Sequence, residues 1–440
     1  MRFPRLLGDL PARSAEDVHA TQEARGESPK EWGGRHLALK RGLALLIHPR
    51  CELKFSALSV VFFCSLECLV QKLTGGARTL TGNGPLTILC TCVSLHGPVL
   101  SFCLFSGSLT FYFCPFCKVL FAACELGVFD LLAEAPGPLA VAAVAAGVGA
   151  SYHAMERLLD ACVSLKLLTV ETRGGQAFYG NTEMSRVYLS RISPTSQCSM
   201  LLYMARTTYH CWGHLAQAVR EGKNQYLQTF GVPAEDLFTA IYRSEGERVQ
   251  FMQALREVWS MNGRSVLTAF DLSLFPLVCD LGGGAGALAR QCLCLYPGCH
   301  VTVFDLPEVV RTAKQHFPLP EEEHVGFQEG DFFKDHLPEA DLYILARILH
   351  DWADGRCSQL LERVYRSCKP GGAILVIESL LDEDRRGPLL TQLYSLNMLV
   401  QTEGQERTPS HFHALLSSAG FRDFQFKKTG AIYDAILARK

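Results

Sequence analysis

The run Asp280-Leu281-Gly282-Gly283-Gly284-Ala285-Gly286 constrains this 440-residue chain more than any other feature. It follows a short apolar segment, 277–281, and precedes a helix-like one, 287–295. A buried strand, a glycine turn and a helix N-terminus leave bare backbone N–H groups open to a ligand. From Phe275 onward, strand-like and helix-like runs alternate, the pattern of an α/β sheet with crossovers. Residues 301–304 read as a second strand ending at Asp305. Residues 325–328 read as a third, before Gly330-Asp331-Phe332-Phe333. A fourth, 341–345, leads into Arg347 and His350-Asp351-Trp352, and a fifth, 373–377, ends at Glu378.

Open α/β sheets hold ligands at the carboxyl ends of their strands. A carboxylate at Asp305 suits a ribose diol, accepting two hydroxyl protons. The glycines alone do not choose the cofactor. Gly284-x-Gly286-x-x-Ala289 also satisfies the dinucleotide fingerprint, so a nicotinamide-dependent oxidoreductase stays open on this motif. Two features favour S-adenosylmethionine. Asp280 lies two residues before the first glycine, and Asp331 with Phe332 offers an acceptor and an aromatic face for an adenine. His350, just past a strand end, is then a candidate base. A neutral imidazole of pKa near ~6.5 can remove the proton of a phenol of pKa near ~10 as its oxygen attacks. A sulfonium donor leaves without an acid, so one base plus alignment is enough. Glu378 and Glu406 are candidates to hold the imidazole tautomer and stabilise the imidazolium.

Upstream, 119–132 has the apolar spacing of one amphipathic helix, stopped by Pro136-Gly137-Pro138. Residues 139–146 read as a short helix, Ser151 as the N-cap of 152–165, and 167–179 as a hairpin turning at Arg173-Gly174-Gly175. Helix, turn, helix and hairpin make a winged-helix pattern. Its second helix is as acidic as it is basic, which favours a packing or dimerisation module over a DNA reader. Lys plus Arg is 42 and Asp plus Glu 44, a net charge of −2, so no global field draws nucleic acid. The 18 cysteines fit no zinc spacing, and Cys114-Pro115-Phe116-Cys117 stands alone, so no metal is expected and a reducing, cytoplasmic setting is.

The chain divides into 1–118, 119–200, 201–272 (helices, broken near 231–233) and 273–440. The first part reads differently from the rest. It opens charged and aperiodic, without a signal-peptide h-region, and then carries apolar runs at 55–70 and 79–117. The second run lacks Asp, Glu, Lys and Arg but is broken by Gly84-Pro85 and Gly97-Pro98. A membrane anchor, a loosely ordered apolar segment and sequence foreign to the working protein (a mis-predicted exon) all remain open, the anchor being the least favoured.

Taken jointly, the glycine loop, Asp305, Gly330–Phe333, Arg347, His350-Asp351-Trp352, Glu378 and Glu406-Arg407-Thr408 resemble the S-adenosylmethionine-dependent O-methyltransferases of the plant caffeate and isoflavone type. The resemblance covers about 119–440; residues 1–118 do not match. It implies a Rossmann-like class I methyltransferase domain behind a mainly helical, winged-helix dimerisation domain, working as a homodimer. It implies His350 as general base, flanked by Glu378 and Glu406, and within that group the chain is similar to the vertebrate hydroxyindole O-methyltransferases, which implies the 5-hydroxyl of an N-acetylated hydroxyindole as acceptor. For the cofactor it implies Tyr242, Trp259, Gly282, Gly284, Asp305, Gly330, Asp331, Phe332 and Arg347. For the small-molecule substrate it implies Asp351, Asn397 and Gln401. A non-enzymatic reading, a winged-helix regulator with a dead methyltransferase fold, is disfavoured by the intact His350 and glycine loop.

Overall fold

A computed structural model describes residues 108–232, 237–318, 325–402 and 404–440, with side chains from 116 onward apart from Leu237. The charged stretch 1–50, the apolar run 55–70 and most of 79–117 lie outside the described residues.

The first described element is the helix Ser108–Glu125. It starts eleven residues before the expected boundary at 118/119, and from Cys117 onward one face, continuing through Leu120, Phe121 and Cys124, is buried at helical spacing. The single helix expected over 119–132 is two. Gly127 takes a left-handed conformation with φ 75°, which ends one helix and starts the next, Val128–Glu134. The short helix expected at 139–146 also divides. Leu139–Ala140 (β1) pairs antiparallel with Gln176–Asn181 (β3), and the helix begins only at Val141. Ser151 caps the next helix, Tyr152–Ser164, by accepting from the Ala154 N–H. Leu168–Arg173 (β2) and β3 form the hairpin, giving a three-stranded sheet of order β1-β3-β2. Further helices lead through a π-turn at Met204–Thr208 to the 23-residue helix Glu245–Leu267, capped by Ser244.

The second sheet is built from Leu277–Leu281 (β4), His300–Asp305 (β5), Val325–Glu329 (β6), Ala340–Ala346 (β7), Cys368–Glu378 (β8), Arg422–Lys427 (β9) and Asp434–Arg439 (β10). Its order is β6-β5-β4-β7-β8-β10-β9, with β10 antiparallel to both neighbours and the other pairs parallel. The chain walks outward from β4 to β6, then returns to lay β7 beside β4. That reversal opens a crevice at the carboxyl ends of β4 and β7, where such sheets bind ligands. The central strands are apolar on both faces. Leu342, Ile344, Leu375 and Ile377 pack on one side and Tyr343, Leu345, Ile374 and Val376 on the other. Among the described residues no helix is long and apolar enough to cross a membrane. From residue 116 onward the cysteines are free, and all but Cys294 are buried.

Candidate active site

A cavity of about 770 Å³ opens over the β4–β7 crevice. The glycine loop forms its floor. Gly282 has φ 72°, and a Cβ there would stand 2.5 Å from Ile348 Cδ1. A Cβ at Gly283 would stand 2.5 Å from Asp280 Oδ2. Only bare backbone fits between these strand ends. Asp305 ends β5 and accepts the Gly284 N–H at 2.8 Å and the Leu306 N–H at 2.7 Å, so it both shapes the loop and lines the cavity. Burial pushes its carboxyl up to about 6. Asp280, buried at the end of β4, is pushed up to about 7 by burial and then by Asp305, and its Oδ2 has no hydrogen-bond partner.

The cavity brings together Tyr242, Trp259, Gly282, Gly284, Asp305, Asp331, Phe332 and Arg347 from separate segments of the chain. Phe332 stands edge-on to Phe333, 4.9 Å between centroids. Arg347 holds a left-handed backbone, φ 58°, and donates from Nη1 to the Tyr433 hydroxyl at 2.8 Å. Gly330 does not line the cavity. Its N–H donates to the Asp305 carbonyl at 2.9 Å, and a Cβ there would collide with the Phe304 ring. The glycine lets the chain turn beneath the wall. These features fit an adenosyl group. A tight backbone cradle, a carboxylate at a strand end and an aromatic face are assembled around one space.

His350 sits in the 3₁₀ turn Leu349–Asp351, beyond β7, and is 2% exposed. Its Nδ1 lies 2.9 Å from Glu406 Oε1 and 3.6 Å from Glu378 Oε2, while Nε2 lies 3.6 Å from Asp351 Oδ1. Because β8 runs parallel beside β7, its last residue, Glu378, reaches this turn. Glu378 Oε1 accepts the Leu349 N–H at 2.9 Å and the His350 N–H at 3.2 Å. Burial pushes Glu378 up to about 7 and Glu406 up to about 8. Burial also holds His350 below its ordinary value, against the opposing pull of Glu378 and Asp351. The imidazole is therefore neutral at pH 7, with Nδ1–H assigned toward Glu406 and Nε2 left to accept a proton. His350, Glu378 and Glu406 are also the described residues whose ligand atoms converge within 4.8 Å. Oε1 of each carboxylate is engaged by His350 or its turn, whereas Oε2 of each is buried without a hydrogen-bond partner.

Asp351, Asn397 and Gln401 line the same cavity, Asp351 beside the His350 ring. Asn397 and Gln401 lie one turn apart on the helix Leu389–Gln401. Three further residues bear on the site without having been assigned a role from the sequence. Arg407, 1% exposed, donates to the Leu349 carbonyl at 2.8 Å and the Trp352 carbonyl at 2.6 Å and pairs with Asp354 at 2.8 Å. It fastens the backbone on both sides of His350. Trp212 and Tyr226 hydrogen-bond to Asn397 and Gln401. Arg407 adjoins Glu406, which hinted at a role. Nothing in the local pattern marked the other two.

The sheet order and this crevice define a class I S-adenosylmethionine-dependent methyltransferase. An O-methyltransferase domain matches residues 212–422, and an O-methyltransferase dimerisation domain matches 109–191. The chain is 83% identical over 323 residues to acetylserotonin O-methyltransferase of Homo sapiens, covering 73% of this chain and 94% of the relative. Identity to the Bos taurus enzyme of the same name is 66% over the same shares. The solved structure of human N-acetylserotonin methyltransferase in complex with SAM matches with a TM-score of 0.72 and 74% identity, over 82% of this chain and 99% of that one. The chain belongs to the acetylserotonin O-methyltransferase family.

Proposed function

We propose that this chain methylates the 5-hydroxyl of N-acetylserotonin, giving melatonin and S-adenosylhomocysteine, with His350 as the general base. The observation that carries the chemistry is a buried neutral imidazole whose Nδ1 is held by Glu406 at 2.9 Å and whose ring lines the cavity. When bound, S-adenosylmethionine supplies an electrophilic methyl on a sulfonium. Asp305, Gly282, Gly284, Asp331, Phe332, Arg347, Tyr242 and Trp259 would hold it, with Gly330 shaping the turn below. His350 Nε2 removes the hydroxyl proton as the oxygen attacks, and the imidazolium that forms draws the adjacent Glu406 and Glu378 toward their ionised forms, which then balance it. Asp351 lies beside Nε2, at the reacting end of the substrate. The apolar walls exclude water and align oxygen with methyl, which supplies most of the rate. The dimerisation domain provides for a homodimer, and the free, buried cysteines suit a reducing cytoplasm.

The test is methyl transfer from labelled S-adenosylmethionine to N-acetylserotonin by the full chain. Labelled melatonin is expected. Cofactor binding without transfer to any hydroxyindole would sink the reading and favour an inactive fold.

A further inference from the structure

The helix Leu389–Gln401 presents Asn397 and Gln401 to the cavity, and both side-chain amides are held by neighbouring donors: Trp212, which also lines the cavity, and Tyr226, which does not. Asn397 Oδ1 accepts the Trp212 Nε1–H at 2.9 Å and the Gln401 Nε2–H at 2.7 Å. Gln401 Oε1 in turn accepts the Tyr226 hydroxyl at 3.4 Å. An amide oxygen and nitrogen are hard to tell apart by shape, so a partner must assign them. Here the partner is an indole N–H, which can only donate. The oxygen of Asn397 must therefore face Trp212, and both of its lone pairs are used. What Asn397 has left for the cavity is its NH₂ group, two donors and no acceptor. Trp212 ends the short helix Tyr209–Trp212, which continues directly from the π-turn Met204–Thr208. Such a turn inserts a residue and re-aims the side chains after it, and it recurs at functional sites.

We infer that Trp212 is a positioning residue: it locks the Asn397 amide with its donors toward the cavity, so the pocket reads an acyl carbonyl on the substrate's amine arm and rejects a free ammonium. This rests on the proposed hydroxyindole activity. An acyl oxygen brings lone pairs to the two donors. A protonated amine brings only donors, so it would lose hydration and find no acceptor on this amide. The cavity carboxylate Asp351 does not make good the loss. It stands 3.6 Å from His350 Nε2, at the end where the hydroxyl reacts.

The full chain and its W212F variant are assayed with labelled S-adenosylmethionine, using N-acetylserotonin and serotonin as separate substrates. In W212F the Asn397 oxygen keeps only the Gln401 Nε2–H and loses the donor-only partner that fixes the orientation of its amide. KM for N-acetylserotonin should rise roughly three- to tenfold, the span of one neutral hydrogen bond, with kcat retained. Serotonin should be unaffected or gain, so the ratio of the two kcat/KM values falls by at least that factor. An equal fall for both substrates, ratio unchanged, is the mark of mere structural damage and overturns the inference. A second variant keeps it testable if W212F folds poorly. N397D retains an acceptor for Trp212 and turns a carboxylate oxygen to the cavity, so it should lose N-acetylserotonin turnover and gain serotonin turnover. N397D that gains nothing on serotonin overturns it too. Failure of the parent chain on both indoles sinks the functional reading, and this inference with it, whereas transfer with an unmoved ratio sinks this inference alone.

Discussion

Charge is handled in opposite ways at the two ends of the described chain. Around the N-terminal helices and hairpin, three ion pairs stay in water. Arg173–Glu171, Arg186–Glu183 and Arg206–Glu125 pair with both partners exposed. Such pairs contribute about 0–1 kcal/mol. At the carboxyl ends of β4, β5, β7 and β8, by contrast, Asp280, Asp305, His350 and Glu378 are buried, and Glu406 is buried beside them. Burial raises all four carboxylates and lowers the imidazole. The first region is held by apolar faces and can exchange its charges freely. The second keeps poorly neutralised groups out of water, which opposes stability and suits a site where charge must change during a reaction.

His350→Ala breaks the contrast most sharply. It should lower kcat by about 10²–10⁴-fold while leaving S-adenosylmethionine affinity, measured by calorimetry, unchanged. Near-normal turnover would mean that the buried group is structural. Arg186→Ala, in the exposed set, should alter stability by less than about 0.5 kcal/mol.

Arg407 sharpens it next. Its guanidinium joins two carbonyls and Asp354, and it is the buried cation packed beside the His350 turn. Arg407→Ala leaves the Leu349 and Trp352 carbonyls without their donor, while Asp354 stays half exposed, and should destabilise by about 1–3 kcal/mol in chemical denaturation. Arg407→Lys, with a point charge in place of a planar fork, should fold and lose part of kcat through a loosened His350. A lysine variant with full kcat would make Arg407 a fold residue only. Smaller again is Asp305→Ala, which removes an acceptor from the cofactor wall. It should weaken S-adenosylmethionine binding about ten- to hundredfold, the range of a charged hydrogen bond, and unchanged affinity would remove Asp305 from the cofactor contacts.

The same contrast explains what could be read in the sequence. Glycine spacing, strand period and acidic strand ends are local, so the β4 loop, Asp305 and the His350 turn were legible. The left-handed Gly127 and the two-residue β1 were not. Each depends on what it packs or pairs with, Leu139 with Tyr179 in the second case. The ties around the site were invisible for the same reason. Trp212 meets Asn397 across 185 positions and Arg407 meets Asp354 across 53, separations that no local pattern encodes. The exposed dyads of the N-terminal region were no easier to foresee, but little rests on them.

The finest test is thermodynamic. Glu406 has a folded value of about 8 and Glu378 of about 7, both well above an unfolded glutamate near ~4.3. Between those limits the native state keeps protons that the unfolded state has released, so stability should fall as pH rises from about 5 to 8. His350 acts the other way, since its folded value is lowered. That contribution is complete above its unfolded value near ~6.5, so the window from about 6.5 to 8 isolates the carboxylates. Asp280, at about 7, adds to the slope in parent and variant alike and cancels in their difference. Glu406→Gln has nothing to ionise. Its stability should decline less steeply across that window and at pH 8 exceed the parent by on the order of 1 kcal/mol, a rise of about 2–4 °C in Tm. The same variant should turn over more slowly, because an amide, unlike Glu406, cannot ionise to balance an imidazolium. Parallel Tm–pH curves would show instead that Glu406 is ionised in the native state at no cost, and the contrast between the two regions would lose its energetic basis.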